Sequence, residues 1–402
     1  MSKRIGYIDA MRGFTMILVV YSHVCNFCLG DRSLAFNDVL FLFRLPCFFF
    51  ISGWLFQGTW GKVTRGTQGT VPGVSSAADY TGTVPHTTSS IPSAWSVIKH
   101  KFNVQIVPTL IFLFFLSPPP AYFQQFGAFK GGYWFTFALF YFFIIYMLMS
   151  LPFRHRQGRR SDIVMLLLTL AISMSAYWYD INYHQLQLQL QRTNCQLSNR
   201  FFSTLCLQRT FNFQLLADML GLLSFVTWRY YLFFFLGTLA RKYCPQFLKL
   251  TSNGKIMTLV VVSFLAISQI PQSDIFLREY FKFSIGGILG MTMFFTLFRY
   301  LYTLSFEHLP SSIIPLSSSL IHPTSSILKF VGQRTLDIYL LHYFFLPEFL
   351  RPHTTQLLTA IPSPLLPIAI LLVALVVIIL CLATSNLLRL NPFLGRYLFG
   401  AK

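Results

Sequence analysis

Long apolar runs dominate this chain, and short polar stretches rich in Gly, Pro and Ser separate them. Ten runs reach the roughly 17–25 residues that a helix needs to cross a bilayer. They lie near 10–29, 38–57, 103–122, 133–152, 162–179, 216–240, 256–271, 282–302, 328–348 and 361–386. Pro108 and the run Ser117-Pro118-Pro119-Pro120 interrupt the third. The sixth has no sharp start, and 211–228 reads equally as a helix lying in the membrane interface. Residues 58–95 carry Gly, Thr, Ser and Pro with few large apolar side chains, so a flexible cytoplasmic loop is expected there. Residues 180–212 include Gln185-Leu186-Gln187-Leu188-Gln189-Leu190-Gln191, whose alternation predicts a short strand or low-complexity patch in an outer-face loop. Spans interleave with everything else, so residues 1–402 read as one membrane domain. The expected fold class is all-α, a polytopic membrane protein with about ten transmembrane helices.

The placement of positive charge orients the spans. With the N-terminus cytoplasmic, 21 of the 31 Lys and Arg fall on inner segments. Both termini are then cytoplasmic and the number of crossings is even. Met1-Ser2-Lys3-Arg4 before an apolar run has the form of a signal peptide. No small-x-small cleavage site follows, and the run reads as an uncleaved first span.

Composition agrees. Hydrophobic residues make up 54% and charged residues 11% of the 402 positions, with 45 Phe. A soluble domain, about one-quarter charged, cannot hide that surface. The net charge of +19 suits loops facing anionic headgroups, so nucleic acid is not an expected partner and the lipid bilayer is. Seven cysteines with wide spacing form no disulfide framework. Cys25-x-x-Cys28 lacks a second pair for a metal and reads as packing, so no metal is expected. The runs Phe48-Phe49-Phe50 and Tyr141-Phe142-Phe143 read as lipid-facing or packing surface.

Ionisable groups inside spans narrow the chemistry. At a helix centre Arg, Lys or Asp costs about 2.5–3.5 kcal/mol on insertion scales, so such groups mark function by default. His23, Arg44 and His342 lie within spans, each six residues from the outer end of its run. That places all three about 9 Å below the outer surface. Arg12 precedes His23 by eleven residues. On one helix the two share a face within about 20° and stand about 16 Å apart along the axis. A cation at the inner mouth with an imidazole above it fits a ligand with an anionic head and a long thin arm, which is the form of coenzyme A. Plainer readings stand beside this one. Arg12 is also a snorkelling positive-inside residue, a membrane His is also an interhelical hydrogen-bond partner, and Arg44 is also a packing cation on a carbonyl. Asp9 and Arg12, three apart, are placed to pair.

The residues also resemble a family. Ile8-Asp9-Ala10-Met11-Arg12-Gly13 with His23 eleven positions after the Arg is similar to the opening of the acyltransferase 3 family. Phe43-Arg44-Leu45-Pro46-Cys47-Phe48-Phe49-Phe50-Ile51-Ser52-Gly53-Trp54-Leu55 resembles its second span. Lys101-Phe102-Asn103-Val104-Gln105-Ile106-Val107-Pro108-Thr109 resembles its basic entry to span three. Tyr133-Trp134-Phe135, Phe235-Leu236-Gly237 and Leu336-Asp337-Ile338-Tyr339-Leu340-Leu341-His342 are similar to later patches. The resemblance implies an integral-membrane O-acyltransferase, multi-pass, in a bacterial inner membrane. Its donor is acyl-CoA, most simply acetyl-CoA, entering from the cytoplasm. Its acceptor is a hydroxyl of a cell-surface or lipid-linked glycan, with polysaccharide-synthesis proteins as partners. Arg12 and His23 match the family's Arg and His. Where many members carry a second Arg at the entry to span three, this chain offers Lys99, Lys101 and Gln105. Some members carry an extracellular esterase-like domain after the last span, and none is expected here.

The site expected from these readings has His23, Arg44 and His342 in catalysis. His23 is the base for a sugar hydroxyl, Arg44 stabilises the oxyanion, and His342 is an orienter or an acceptor contact. Arg12, Lys99, Lys101 and Arg334 are expected to bind the donor, with Asp9 and Asp337 in support. Covalent transfer through an acyl-histidine is an open alternative. The rival class is an exporter of glycan or polar solute. Against it, few acidic residues lie inside the runs, Asp337 and Asp218 among them, where ion-coupled carriers need membrane carboxylates. A scaffold of a synthesis complex is the third reading.

Overall fold

A computed structural model describes residues 5–30, 36–66, 94–116, 132–153, 158–197, 219, 221, 223–271, 275–306 and 326–400. The described residues are helical throughout, with no strand among them. Helix α1 spans Gly6–His23 and runs into a π turn, Val24–Cys28. Next come α2 (Asn37–Gly66), α3 (Ala94–Lys101), a π segment Phe102–Ile106, α4 (Val107–Leu116) and α5 (Trp134–Ser150). Helix α6 spans Arg159–Leu197. A 3-10 turn Phe225–Tyr230 leads into α7 (Tyr231–Lys242), followed by α8 (Cys244–Thr251), α9 (Gly254–Ser268) and α10 (Phe276–Phe306). Helix α11 covers 326–333. Then come α12 (Thr335–Phe345), a 3-10 turn Glu348–His353, α13 (Thr354–Ala360), α14 (Leu366–Leu388) and α15 (Pro392–Phe399).

Among the described residues, six helices are long and apolar enough to cross a membrane, and α8 with α9, bent by 77°, make a seventh if taken together. The other expected runs are built from shorter pieces. Helix α5 has 17 residues. The 216–240 run is broken at Ser224, which lies in the left-handed region (φ 52°): Met219 and Gly221 before it are helical, and a 3-10 turn follows from Phe225. The 328–348 run is broken at Arg334, between α11 and α12.

Two expected loops differ from the sequence reading. Helix α2 continues to Gly66, so the start of the 58–95 loop is helical, as are Ala94 and Trp95. Residues 67–93 lie outside the described residues. Helix α6 runs through Gln185–Gln191 to Leu197. The alternating Leu and Gln are good helix formers, so they extend the preceding helix instead of forming a strand. Residues 198–212 lie outside the described residues, as does Asp218.

Apolar side chains at helical spacing remain exposed on three helices. They include Ile163, Leu167, Met174 and Trp178 on α6, Leu259 and Val262 on α9, and Ile368, Leu372, Val376 and Ile379 on α14. A surface of that kind needs an apolar solvent, which a bilayer supplies. The aromatic runs mostly turn inward: Phe48, Phe49, Phe50, Phe142 and Phe143 are all buried, with Phe49 packed on Tyr230 and Phe142 on Phe234, and Tyr141 is half-buried. Lipid tails are as apolar as Leu, so this core is held by close packing and not by escape from water.

Two seams of bare backbone set the helix spacing. A Cβ on Gly53 would lie 1.9 Å from the Phe234 carbonyl oxygen, and one on Gly237 would lie 2.0 Å from that of Phe50. These joined glycines let α2 and α7 touch. The same reciprocity holds between α1 and α11. There a Cβ on Gly13 would meet the Leu328 carbonyl at 2.0 Å, and one on Gly332 the Asp9 carbonyl at 1.9 Å. Small residues at such crossings allow the close approach that membrane helices use. Helix α1 also packs on α2, α10 and α14, which puts it at the centre of the bundle.

Candidate active site

The α-helix from Gly6 to His23 is uninterrupted. Arg12 and His23 therefore share a face within about 20° and stand about 16 Å apart along its axis. His23 is the last α residue before the π turn. A π turn widens the helix by one residue, a device common at functional sites.

His23 and His342 meet directly. Their rings stack with centroids 4.8 Å apart and planes 12° from parallel, and His23 Nδ1 lies 2.7 Å from His342 Nε2. His342 is fully buried on α12, with Nδ1 3.1 Å from the carbonyl oxygen of Ile338. A carbonyl only accepts, so His342 Nδ1 must carry the hydrogen. In a neutral ring Nε2 then has a lone pair and accepts from His23 Nδ1–H. That leaves His23 Nε2 with an unshared pair, the arrangement a general base needs.

Three tyrosines hold the pair. The Tyr343 ring packs on both, at 5.3 Å from His23 and 4.1 Å from His342. The Tyr343 and Tyr339 hydroxyls each donate to the Gly132 carbonyl at 3.2 Å. The Tyr133 hydroxyl donates to the Leu340 carbonyl at 2.7 Å. Gly132 has φ +94°, and a Cβ there would sit 2.6 Å from the Tyr343 ring. Only glycine combines that backbone with that contact.

Arg44 is 6% exposed. Its Nη1 donates to Asn37 Oδ1 at 2.8 Å. Asn37 Nδ2 donates to Asn26 Oδ1 at 3.4 Å, and Asn26 Nδ2 to Ser22 Oγ at 3.5 Å. The guanidinium also lies 5.3 Å from the centroid of Phe41. Arg44 stands close enough to His23 for their charges to interact. A polar chain thus leads from the turn bearing His23 to Arg44.

At the N-terminal end of α1, Arg12 and Lys101 are near enough to interact electrostatically. Lys101 Nζ lies 4.5 Å over the ring of Phe143. The structure does not bring Lys99 to them. It is exposed, and two residues along a helix is a turn of about 200°. Arg334 is also differently engaged, donating from Nη1 to Asp337 Oδ2 at 3.2 Å. Buried Asp337 is a hub: Arg389 donates to it from Nη2 (2.9 Å to each oxygen) and Nε (3.1 Å), and Ser385 Oγ donates at 2.6 Å. Asp337 thus ties α12 to the end of α14. Asp9 receives Gln333 Nε2 at 3.5 Å, across the glycine seam.

Several contributors were not evident from the sequence. Asn26 and Asn37 sit at span ends, where polar residues are unremarkable, and the three tyrosines stand in aromatic-rich stretches where another ring does not stand out. Arg389 read only as inner positive charge. A further ion pair, Arg229 with Asp180, joins the 3-10 turn to α6. Cys25, Cys28 and Cys47 are all buried. Among the described residues no group of three or more His, Cys, Asp or Glu is arranged to hold a metal ion.

With this geometry in place, comparison with known proteins adds one result. A family model described as an acyltransferase domain matches residues 5–385, nearly the whole chain. The chain belongs to the acyltransferase 3 family. No curated protein and no solved structure matches it.

Proposed function

We propose, with that membership as the premise, that this protein is an O-acyltransferase. It moves an acyl group, most simply acetyl, from cytoplasmic acyl-CoA to a hydroxyl of a cell-surface or lipid-linked glycan. The reading includes ten membrane crossings with both termini cytoplasmic, the shorter helices completing the count. It includes the bacterial inner membrane and polysaccharide-synthesis proteins as neighbours.

The observation that carries the reading is the His23–His342 contact, on a helix whose same face bears Arg12 about 16 Å below. The donor's phosphates lie at Arg12 and Lys101, where a guanidinium and an ammonium suit anionic oxygens. Its arm rises along α1 and presents the thioester carbonyl beneath His23. His23 Nε2 takes the proton of the acceptor hydroxyl as that oxygen attacks the carbonyl carbon. The carbonyl π pair moves onto oxygen, and Arg44 lies across the site as counter-charge to the oxyanion. On collapse the C–S bond breaks. The thiolate leaves with its electron pair and receives the proton from His23, so the products are the ester and free CoA. His342 holds the His23 ring in one tautomer throughout.

Purified protein with radiolabelled acetyl-CoA and a polysaccharide extract tests the reading. The expected result is label on glycan and acceptor-dependent CoA release, both absent from the His23→Ala protein. Solute movement without CoA chemistry identifies a carrier. Label retained on the wild-type protein identifies covalent transfer.

A further inference from the structure

One polar group beside the donor route has no part in this mechanism. Gln105 lies in the π segment Phe102–Ile106, four residues after Lys101. Residues four apart on a helix share a face and stand one turn apart. Gln105 is therefore one turn along from Lys101, on the face that Lys101 turns towards Phe143 and Arg12. Further along the same span, Phe112 packs on Phe344, two residues from His342, so one turn beyond Lys101 is a step from Arg12's level towards that of His23.

The Gln105 side chain carries an unmet acceptor. Its Oε1 is buried and meets no donor among the described residues. Its backbone carbonyl is already used, accepting from Thr109 Oγ1 at 2.6 Å. Thr109 Oγ1 stands 3.0 Å from Thr136 Oγ1 in turn, so that hydroxyl is engaged and does not turn back to the amide. A buried acceptor with no donor is destabilising in the free protein. It becomes favourable when a ligand brings an N–H to it.

We infer that Gln105 reads the arm of the donor, its Oε1 accepting an amide N–H of pantetheine while the phosphates lie on Arg12 and Lys101. The inference rests on the acyl-CoA reading above and deepens it. Pantetheine carries two secondary amides between its phosphate and its thiol, and each offers one N–H. A wholly hydrocarbon arm would leave the Oε1 unmet, so Gln105 selects an amide-bearing thioester over a fatty chain.

The test is binding of CoA and of adenosine 3′,5′-bisphosphate, which lacks the arm, to detergent-purified protein. Gln105→Met keeps length and bulk and removes the acceptor. It is expected to weaken CoA binding about three- to tenfold, the worth of one neutral hydrogen bond, and to leave adenosine 3′,5′-bisphosphate unchanged. Gln105→Leu is a second variant with the same expectation, and thermal unfolding confirms that each is folded. Unchanged CoA affinity in the folded variants overturns the inference, as does equal weakening for both ligands. A wild-type protein that binds neither ligand overturns the donor reading beneath it.

Discussion

His23 Nδ1 stands 2.7 Å from His342 Nε2, and His342 Nδ1 stands 3.1 Å from the Ile338 carbonyl. One backbone oxygen on α12 therefore sets the tautomer of a ring on α1. Breaking the middle of this relay should cost activity without unfolding the protein. His342→Ala is expected to lower kcat for acyl transfer about a hundredfold or more, within the range general-base placement supplies. His342→Gln, whose amide oxygen accepts from His23 Nδ1–H, is expected to recover part of it. Wild-type kcat in His342→Ala removes the relay from the mechanism.

The pair also fixes the sign of the pH dependence. A base works only with its lone pair free, so activity is present at higher pH and lost as pH falls and the pair takes up a proton. The two rings are in contact, and the acid limb belongs to them jointly. Measured as kcat/KM from about pH 5 to 9, the limb should fall about tenfold per pH unit at its steepest. His342→Gln should move its midpoint. A limb that His342→Gln does not move assigns the titration elsewhere.

Arg12 and Lys101 make a different kind of prediction. Charge-assisted contacts to phosphate are worth about 1.5–3 kcal/mol each, so Arg12→Gln should raise KM for acetyl-CoA about ten- to a hundredfold. Exposed Lys99 lies away from them, and Lys99→Gln should change KM less than about twofold on the scale of exposed charges. Steady-state kinetics on the two variants decide. Equal effects would place Lys99 on the donor after all.

Asp337 is expected to matter for stability first. Its carboxylate is buried and answers two guanidinium groups, Arg389 and Arg334. Removing one partner of a buried ionic cluster costs about 3–5 kcal/mol, since the charges left behind are uncompensated. Asp337→Ala should lower the unfolding temperature sharply in detergent. The double variant Asp337→Ala with Arg389→Met should be more stable than Asp337→Ala alone. Additive losses would show that the two do not act as a unit.

Much of this was legible because a membrane makes charge conspicuous. His23, Arg44 and His342 stand out in apolar runs, and the spacing of Arg12 and His23 is meaningful once a single helix is assumed, as α1 proves to be. Other features leave no mark in hydropathy. Arg334 interrupts 326–345, yet that run reads as continuous because a local backbone break does not alter composition, and the uncertain start of the 216–240 run gives no sign of the break at Ser224. The Gln-Leu alternation at 185–191 has the period of a strand, but its residues are helix formers following on a long helix, and local propensity prevails. Lys99 and Lys101 look interchangeable in the sequence. Helical rotation separates them.

The Gly13–Gly332 seam bears on how substrate gets in. Its contact is main chain against main chain, so no rotamer change can take up slack between α1 and α11. Those two rods travel as one, so the helix whose own rise sets the offset between guanidinium and imidazole is held in place from the side. On the acyltransferase reading, any movement that admits an acceptor falls to helices other than these two, leaving this mast still.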